Sequence, residues 1–137
     1  MVLIDTNVLL DIATRDAKWF GWSKRKLAPL INARQAAINP VIYAELAPHY
    51  RDERDLDLNL VPASDFKRLP LPYSAGFPAA RAFLAYRKGG GSRTAPLPDF
   101  FIGGHAEAEG YAILTRDPLR YRSYFPKVRL MAPSEEG

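Results

Sequence analysis

Three residues near the N-terminus, Val2-Leu3-Ile4, form an unbroken apolar run that stops at Asp5. A strand that is apolar on both faces cannot leave either one in water. It needs cover above and below, as in a parallel sheet held between helices. Similar short runs recur at 36–39, 111–114 and 128–131, and 66–70 is a weaker fifth candidate. The segments between them read as helices. Residues 8–13 follow the cap-type residues Asp5-Thr6-Asn7, and 20–34 spaces Trp22, Leu27, Leu30 and Ile31 helically, with a turn or kink expected at Pro29. Pro40, at an N1 position, opens a helix through Ile42, Ala44 and Leu46 that Pro48 ends or bends. Residues 51–60, 77–87 and 119–124 complete the helical set, together with 100–109, capped by Asp99 and stopped by Gly110. A loop spans 88–98 around Gly89-Gly90-Gly91. Strands alternating with helices make an α/β fold with a five-stranded parallel sheet flanked by helices, as one domain over 1–137.

Composition narrows the function. The chain has 137 residues and no cysteine, which removes disulfides, thiolate metal sites and cysteine nucleophiles. Two histidines leave little room for an all-histidine site. No apolar run approaches the roughly 18 residues a membrane span needs, and the opening MVLID lacks the basic and apolar regions of a signal peptide. A cytoplasmic protein is expected. Nineteen Lys+Arg against fifteen Asp+Glu give +4, which favours polyanionic partners. The cations cluster at Lys24, Arg25 and Lys26, at Arg87, Lys88 and Arg93, and at Arg116, Arg120 and Arg122.

In an open α/β sheet the ligand crevice lies beyond the carboxyl ends of the strands. Asp5 follows the first strand and Asp117 the fourth, while Glu45 and Asp99 stand near the starts of helices. Each alone has a plain structural explanation as a helix cap or a solvated acid. Four at one edge do not. Two carboxylates about 4 Å apart repel by roughly 4 kcal/mol at an effective dielectric near 20, so such a cluster calls for a cation. Oxygen ligands without cysteine or paired histidine select Mg²⁺ or Mn²⁺ over zinc. Such an ion activates water against a phosphodiester, and the basic surroundings would hold the backbone.

The ordered set VLIDTNVLLD, PVIYAEL, LPDFFIGGHAEA and AILTRDPLRYRSYFP resembles PIN-domain ribonucleases, and among them the VapC toxins of bacterial toxin–antitoxin pairs. The resemblance covers essentially the whole chain. It implies a PIN-like fold, Mg²⁺- or Mn²⁺-dependent endoribonuclease activity, a cognate antitoxin partner and a homodimer, with transfer RNA as a possible substrate. It also implies that Asp5, Glu45, Asp99 and Asp117 are the catalytic acids, with Asp5 and Asp99 the direct metal ligands and Asn7 and Thr115 orienting them. Lys88, Arg93, Arg116 and Arg120 are the candidate RNA contacts.

Other readings compete. A haloacid-dehalogenase-like phosphatase needs a second acid two residues after the first, where Asn7 stands. A receiver domain wants an acidic pair near its first strand and a late lysine, and Lys127, the only late lysine, lacks that context; the triglycine lacks the Gly-Lys-Ser/Thr of a P-loop. His105 falls about 240° round the helix from Asp99, points away from that acid, and reads as structural or surface. His49 follows Glu45 by four, but Pro48 intervenes. Trp19, Phe20 and Trp22 read as core or as a dimer or antitoxin contact rather than as a base-stacking platform. A PIN-type DNA or structure-specific nuclease and a catalytically silent binding scaffold remain the alternatives.

Overall fold

The computed structural model describes residues 1–90 and 97–134. β1 (Val2–Ile4), β2 (Ala36–Ile38), β3 (Lys67–Arg68), β4 (Ala112–Leu114) and β5 (Leu130–Met131) form one sheet in the order β3-β2-β1-β4-β5. Every pairing is parallel. Seven α-helices occur among the described residues: α1 (Thr6–Ala13), α2 (Phe20–Asn32), α3 (Pro40–Leu46), α4 (Glu53–Asn59), α5 (Gly76–Lys88), α6 (Leu97–Glu109) and α7 (Leu119–Tyr124). None of them is long and apolar enough to cross a membrane.

The three central strands are buried throughout, as their unbroken apolar runs require, and Leu3, Ile4, Ile38, Ile113 and Leu114 are the heart of the core. The edge strands β3 and β5 are only two residues each and are exposed or half-buried. An edge of that length leaves few unpaired backbone groups for another strand to capture. Pro29 lies inside α2 rather than ending it, because only the last turn runs on beyond it. Gly103 and Gly104 let α6 pack closely. A Cβ on Gly104 would lie 2.7 Å from the Ala75 carbonyl oxygen and 3.0 Å from the Ala79 backbone nitrogen, and one on Gly103 would strike the buried ring of Phe125.

Two boundaries differ from the sequence reading. α6 starts at Leu97, so Asp99 sits within its first turn instead of capping it. Pro98 explains the shift, since a proline fits the first turn, where backbone N–H groups have no helical partner. Asp117 caps nothing; Pro118 holds the N-cap position of α7.

Consecutive strands run outward from β1 through β2 to β3, then the chain returns to place β4 on the other side of β1. The crevice at the carboxyl ends of β1 and β4 is therefore the switch point where α/β sheets bind ligands.

Candidate active site

β1 delivers Asp5 and β4 delivers Thr115 to that crevice as neighbours. Ile4 pairs with Leu114, and the Asp5 backbone N–H donates to the Leu114 carbonyl at 2.9 Å. Asp5 is also the N-cap of α1, its Oδ1 accepting from the Thr6 backbone N–H at 2.8 Å. Its other oxygen, Oδ2, accepts from the Thr115 hydroxyl at 2.9 Å, the Tyr121 hydroxyl at 3.1 Å and Asn7 Nδ2 at 3.3 Å. Cap and cluster member are thus one role: the turn that starts α1 also fixes the carboxylate.

Asn7 and Thr115 are held in turn. Asn7 Nδ2 donates to Thr115 Oγ1 at 3.2 Å, and Asn7 Oδ1 accepts the Arg116 backbone N–H at 3.3 Å. Thr115 Oγ1 also accepts the Asp117 backbone N–H at 3.0 Å. Asp5, Asn7, Asp99 and Asp117 line one cavity of about 400 Å³ with Tyr86 and Arg120. A larger hollow of about 480 Å³, under Tyr43 and Arg68, is mostly apolar and holds one carboxylate, Glu53. What distinguishes the smaller cavity is not size but that Asp5, Asn7, Asp99 and Asp117, four of the expected site residues, converge on it.

Glu45 stands at the margin, on α3, where its Oε1 accepts from the Thr6 hydroxyl at 2.7 Å. Burial raises its pKa, Thr6 opposes, and the charge of Asp99 raises it again. Asp99 is raised by burial and by Asp117, and held down by Arg120, whose Nη1 lies 2.6 Å from its Oδ2. Asp5, 5% exposed, is pushed up to about 7, first by burial and next by the charge of Asp99, against the lowering hydrogen bonds of Thr115, Tyr121 and Thr6. Burial and the Asp5 and Asp99 charges push the Tyr121 phenol far above its ordinary range, so it stays a donor.

The acids share one neighbourhood, but they are not drawn up as a chelate. Among the described residues no group of three or more carboxylate or imidazole side chains is placed to hold a metal ion. Thr6 and Arg120 hold two of the acids, Glu45 and Asp99, to other partners. The donor chemistry nonetheless suits a hard divalent cation: Asp5, Glu45 and Asp99 are oxygen acids whose ionisation burial and a neighbouring carboxylate suppress.

The candidate RNA-contacting cations fall in different places. Arg120 pairs with Asp99, and Arg116 Nε pairs with the buried Asp11 at 2.8 Å, alongside Ser23 Oγ at 2.9 Å. Lys88 is exposed at the end of α5, two residues beyond Tyr86. Arg93 lies outside the described residues. His105 is buried against Asn39 Nδ2 at 3.1 Å, and His49 is exposed on the 3₁₀ turn after α3. Sequence reasoning missed Tyr121 and Thr6. A tyrosine inside a short helix reads as core, and only the packing of α7 shows its hydroxyl reaching Asp5.

The PIN domain family model matches residues 2–123. Among curated proteins no relative matches. Solved structures similar to the chain include VapBC2 from Rickettsia felis bound to a DNA fragment from their promoter, with TM-score 0.72 and 17% identity over 98% of this chain and 100% of that one. VapBC-1 from nontypeable Haemophilus influenzae matches with TM-score 0.69 and 15% identity, over 96% of this chain and 98% of that one. FitAcB from Neisseria gonorrhoeae matches with TM-score 0.67 and 19% identity, over 96% of each chain. At these identities the likeness is one of fold.

Proposed function

The chain belongs to the PIN domain family, and from that premise we propose that it is a Mg²⁺- or Mn²⁺-dependent endoribonuclease toxin held by a cognate antitoxin. The observation that carries this reading is Asp5: a buried carboxylate at the switch point, oriented by four donors and within the field of Asp99. Asp5 and Asp99 would hold the cation, with Glu45 and Asp117 flanking them. The chemistry such an ion supplies when bound is activation of water and neutralisation of charge at phosphorus.

The chain's own residues do the rest. Thr115, Tyr121 and Asn7 lock the Asp5 carboxylate in one rotamer, so its orientation does not depend on the ligand. Tyr86, Leu119 and Tyr124 complete the lining of the cavity beside the acids. Arg120, close to Asp99, stands where a phosphate oxygen would meet a cation.

The antitoxin part of the reading draws support from the similar structures, which include VapBC assemblies and a toxin–antitoxin complex from Klebsiella pneumoniae, 20% identical with TM-score 0.59 over 98% of this chain and 99% of that one. The homodimer part draws it from the exposed apolar side chains Tyr73, Phe77 and Leu84. A second reading, a catalytically silent scaffold, is favoured by the Asp99–Arg120 pair and the open arrangement of the acids.

The deciding experiment incubates partner-free protein with total transfer RNA and with single-stranded DNA, in Mn²⁺, Mg²⁺ or EDTA, beside Asp5→Asn. Discrete RNA fragments that need both metal and Asp5 are expected. Cleavage of DNA alone selects the DNA nuclease. Intact nucleic acid of both kinds, with folded protein, selects the scaffold.

A further inference from the structure

Both tryptophans of the chain line one groove of about 640 Å³, together with Lys18, Arg25, Lys26 and the segment at Pro133. The rings of Trp19 and Trp22 meet edge to face, 6.0 Å between centroids. Lys18 Nζ lies 5.1 Å from the Trp19 centroid and the Arg116 guanidinium 5.7 Å. Beside them, Lys24 and Arg15 lie over Phe20 at 5.5 and 5.6 Å. Both tryptophans are half-buried, Trp22 with part of its surface packed against the core.

Charge is concentrated in the same place. Residues 15–26 carry five cations against one acid, Asp16, a net +4 equal to the formal charge of the whole chain. Asp16 is engaged with backbone, accepting the N–H groups of Lys18 and Trp19 at 3.0 and 2.7 Å. Among the described residues, Lys18, Arg25 and Lys26 form no ion pair with a carboxylate and stand exposed. Arg116 joins this groove to the acid cavity. Its guanidinium is over Trp19 while its backbone N–H is bonded to Asn7, which holds Asp5.

We propose that this groove binds a single-stranded RNA segment flanking the bond to be cut, with bases against Trp22 and the edge of Trp19 and phosphates at Lys18, Arg25 and Lys26. The proposal rests on the nuclease reading for the direction of the strand toward Asp5. A single strand supplies a flat ring and an anion at every residue, which is the pairing of groups the groove presents. A duplex hides its ring faces, and an acidic peptide supplies anions without the repeating rings. Arg116, in contact with Trp19 on one side and with Asn7 on the other, links the groove to the residues that hold Asp5.

Because the tryptophans occur nowhere else in the chain, their emission reports on this groove alone. The test titrates Asp5→Asn protein in EDTA, where nothing is cut, with a short oligouridylate and follows tryptophan quenching. Saturable quenching is expected. Trp22→Ala should weaken binding about tenfold, within the range found for one stacked base. Combined Lys18→Gln, Arg25→Gln and Lys26→Gln should lower the slope of log K against log salt by about 2, at roughly 0.7 per single-strand phosphate contact. The surface triple variant keeps the test open should Trp22→Ala fold poorly.

Unchanged affinity and slope in the triple variant would overturn the proposal. So would binding of an acidic oligoglutamate peptide through these residues with no binding of RNA, which would assign the groove to a protein segment. Quenching as expected, with wild type leaving transfer RNA and single-stranded DNA intact in Mn²⁺, would leave the groove standing and remove the nuclease reading.

Discussion

Replacing Asp5 by asparagine tests the electrostatics of the site without any substrate. In the folded chain the Asp5 carboxyl is raised from 3.8 to about 7. A group whose folded pKa lies above its unfolded one contributes stability while protonated. Here that contribution is complete below about 3.8 and is lost as pH rises through about 7. A shift of that size amounts to about 4 kcal/mol as an upper bound, of which about 3 kcal/mol is lost between pH 5 and pH 8. Asparagine stays neutral and has no such slope. Its amide meets hydroxyls that can turn to accept from it, but also Asn7 Nδ2, which cannot; that mismatch costs about 1–2 kcal/mol. Asp5→Asn should therefore be close to wild type at pH 5 and about 2–3 kcal/mol more stable at pH 8. For a chain of this length that is a rise in Tm of about 7–10 °C. Thermal and urea unfolding in EDTA at both pH values measure it, with the wild type–variant difference isolating Asp5 from other titrating groups. A difference that stays flat across this range would refute the claim that Asp5 is held in a destabilised charged form. Saturating Mn²⁺ should then raise the Tm of wild type and leave that of the variant nearly unmoved.

Arg120→Gln removes the cation that sits on Asp99. The pair is about a third exposed, so unfolding stability in EDTA should fall by only about 1 kcal/mol. Mn²⁺ affinity by titration calorimetry should rise severalfold, and an unchanged or weaker affinity would mean that Arg120 does not compete with the metal. Gly104→Ala forces a methyl against the backbone of Ala75 and Ala79, so α5 and α6 must part. A loss of about 3 kcal/mol in urea unfolding is expected, and a loss below about 1 kcal/mol would show that the helices have room.

How much was legible in the sequence varies by element. The interior strands announced themselves because a strand covered on both faces must be apolar at every position. β3, two exposed residues ending in a charge, has no such mark and was the weakest candidate. Asp99 was found as an acid but mistaken for a cap, since Pro98 suits both a loop and a first helical turn. For Trp19 and Trp22 the sequence carries no local sign of a groove, because aromatic residues at helical spacing usually pack inward, as Trp22 does in part. The cations stacked along Trp19 belong to residues on both sides of it in sequence, one of them 97 positions away.

The sequence by itself determined the order of strands and helices, the α/β class and the acids that end or follow the strands. Those features are local: they depend on periodicity, on turn chemistry and on what may stand at a strand's end. The tertiary structure alone decided that the acids lie open rather than chelated, that Tyr121 donates to Asp5, that Arg120 occupies Asp99 and that Arg116 bridges Asp11 and Trp19. These pairings follow from β4 returning to lie beside β1, which brings side chains more than a hundred residues apart within hydrogen-bond reach. No local pattern encodes that return, because the strand order is selected by how helices and sheet bury their apolar faces together.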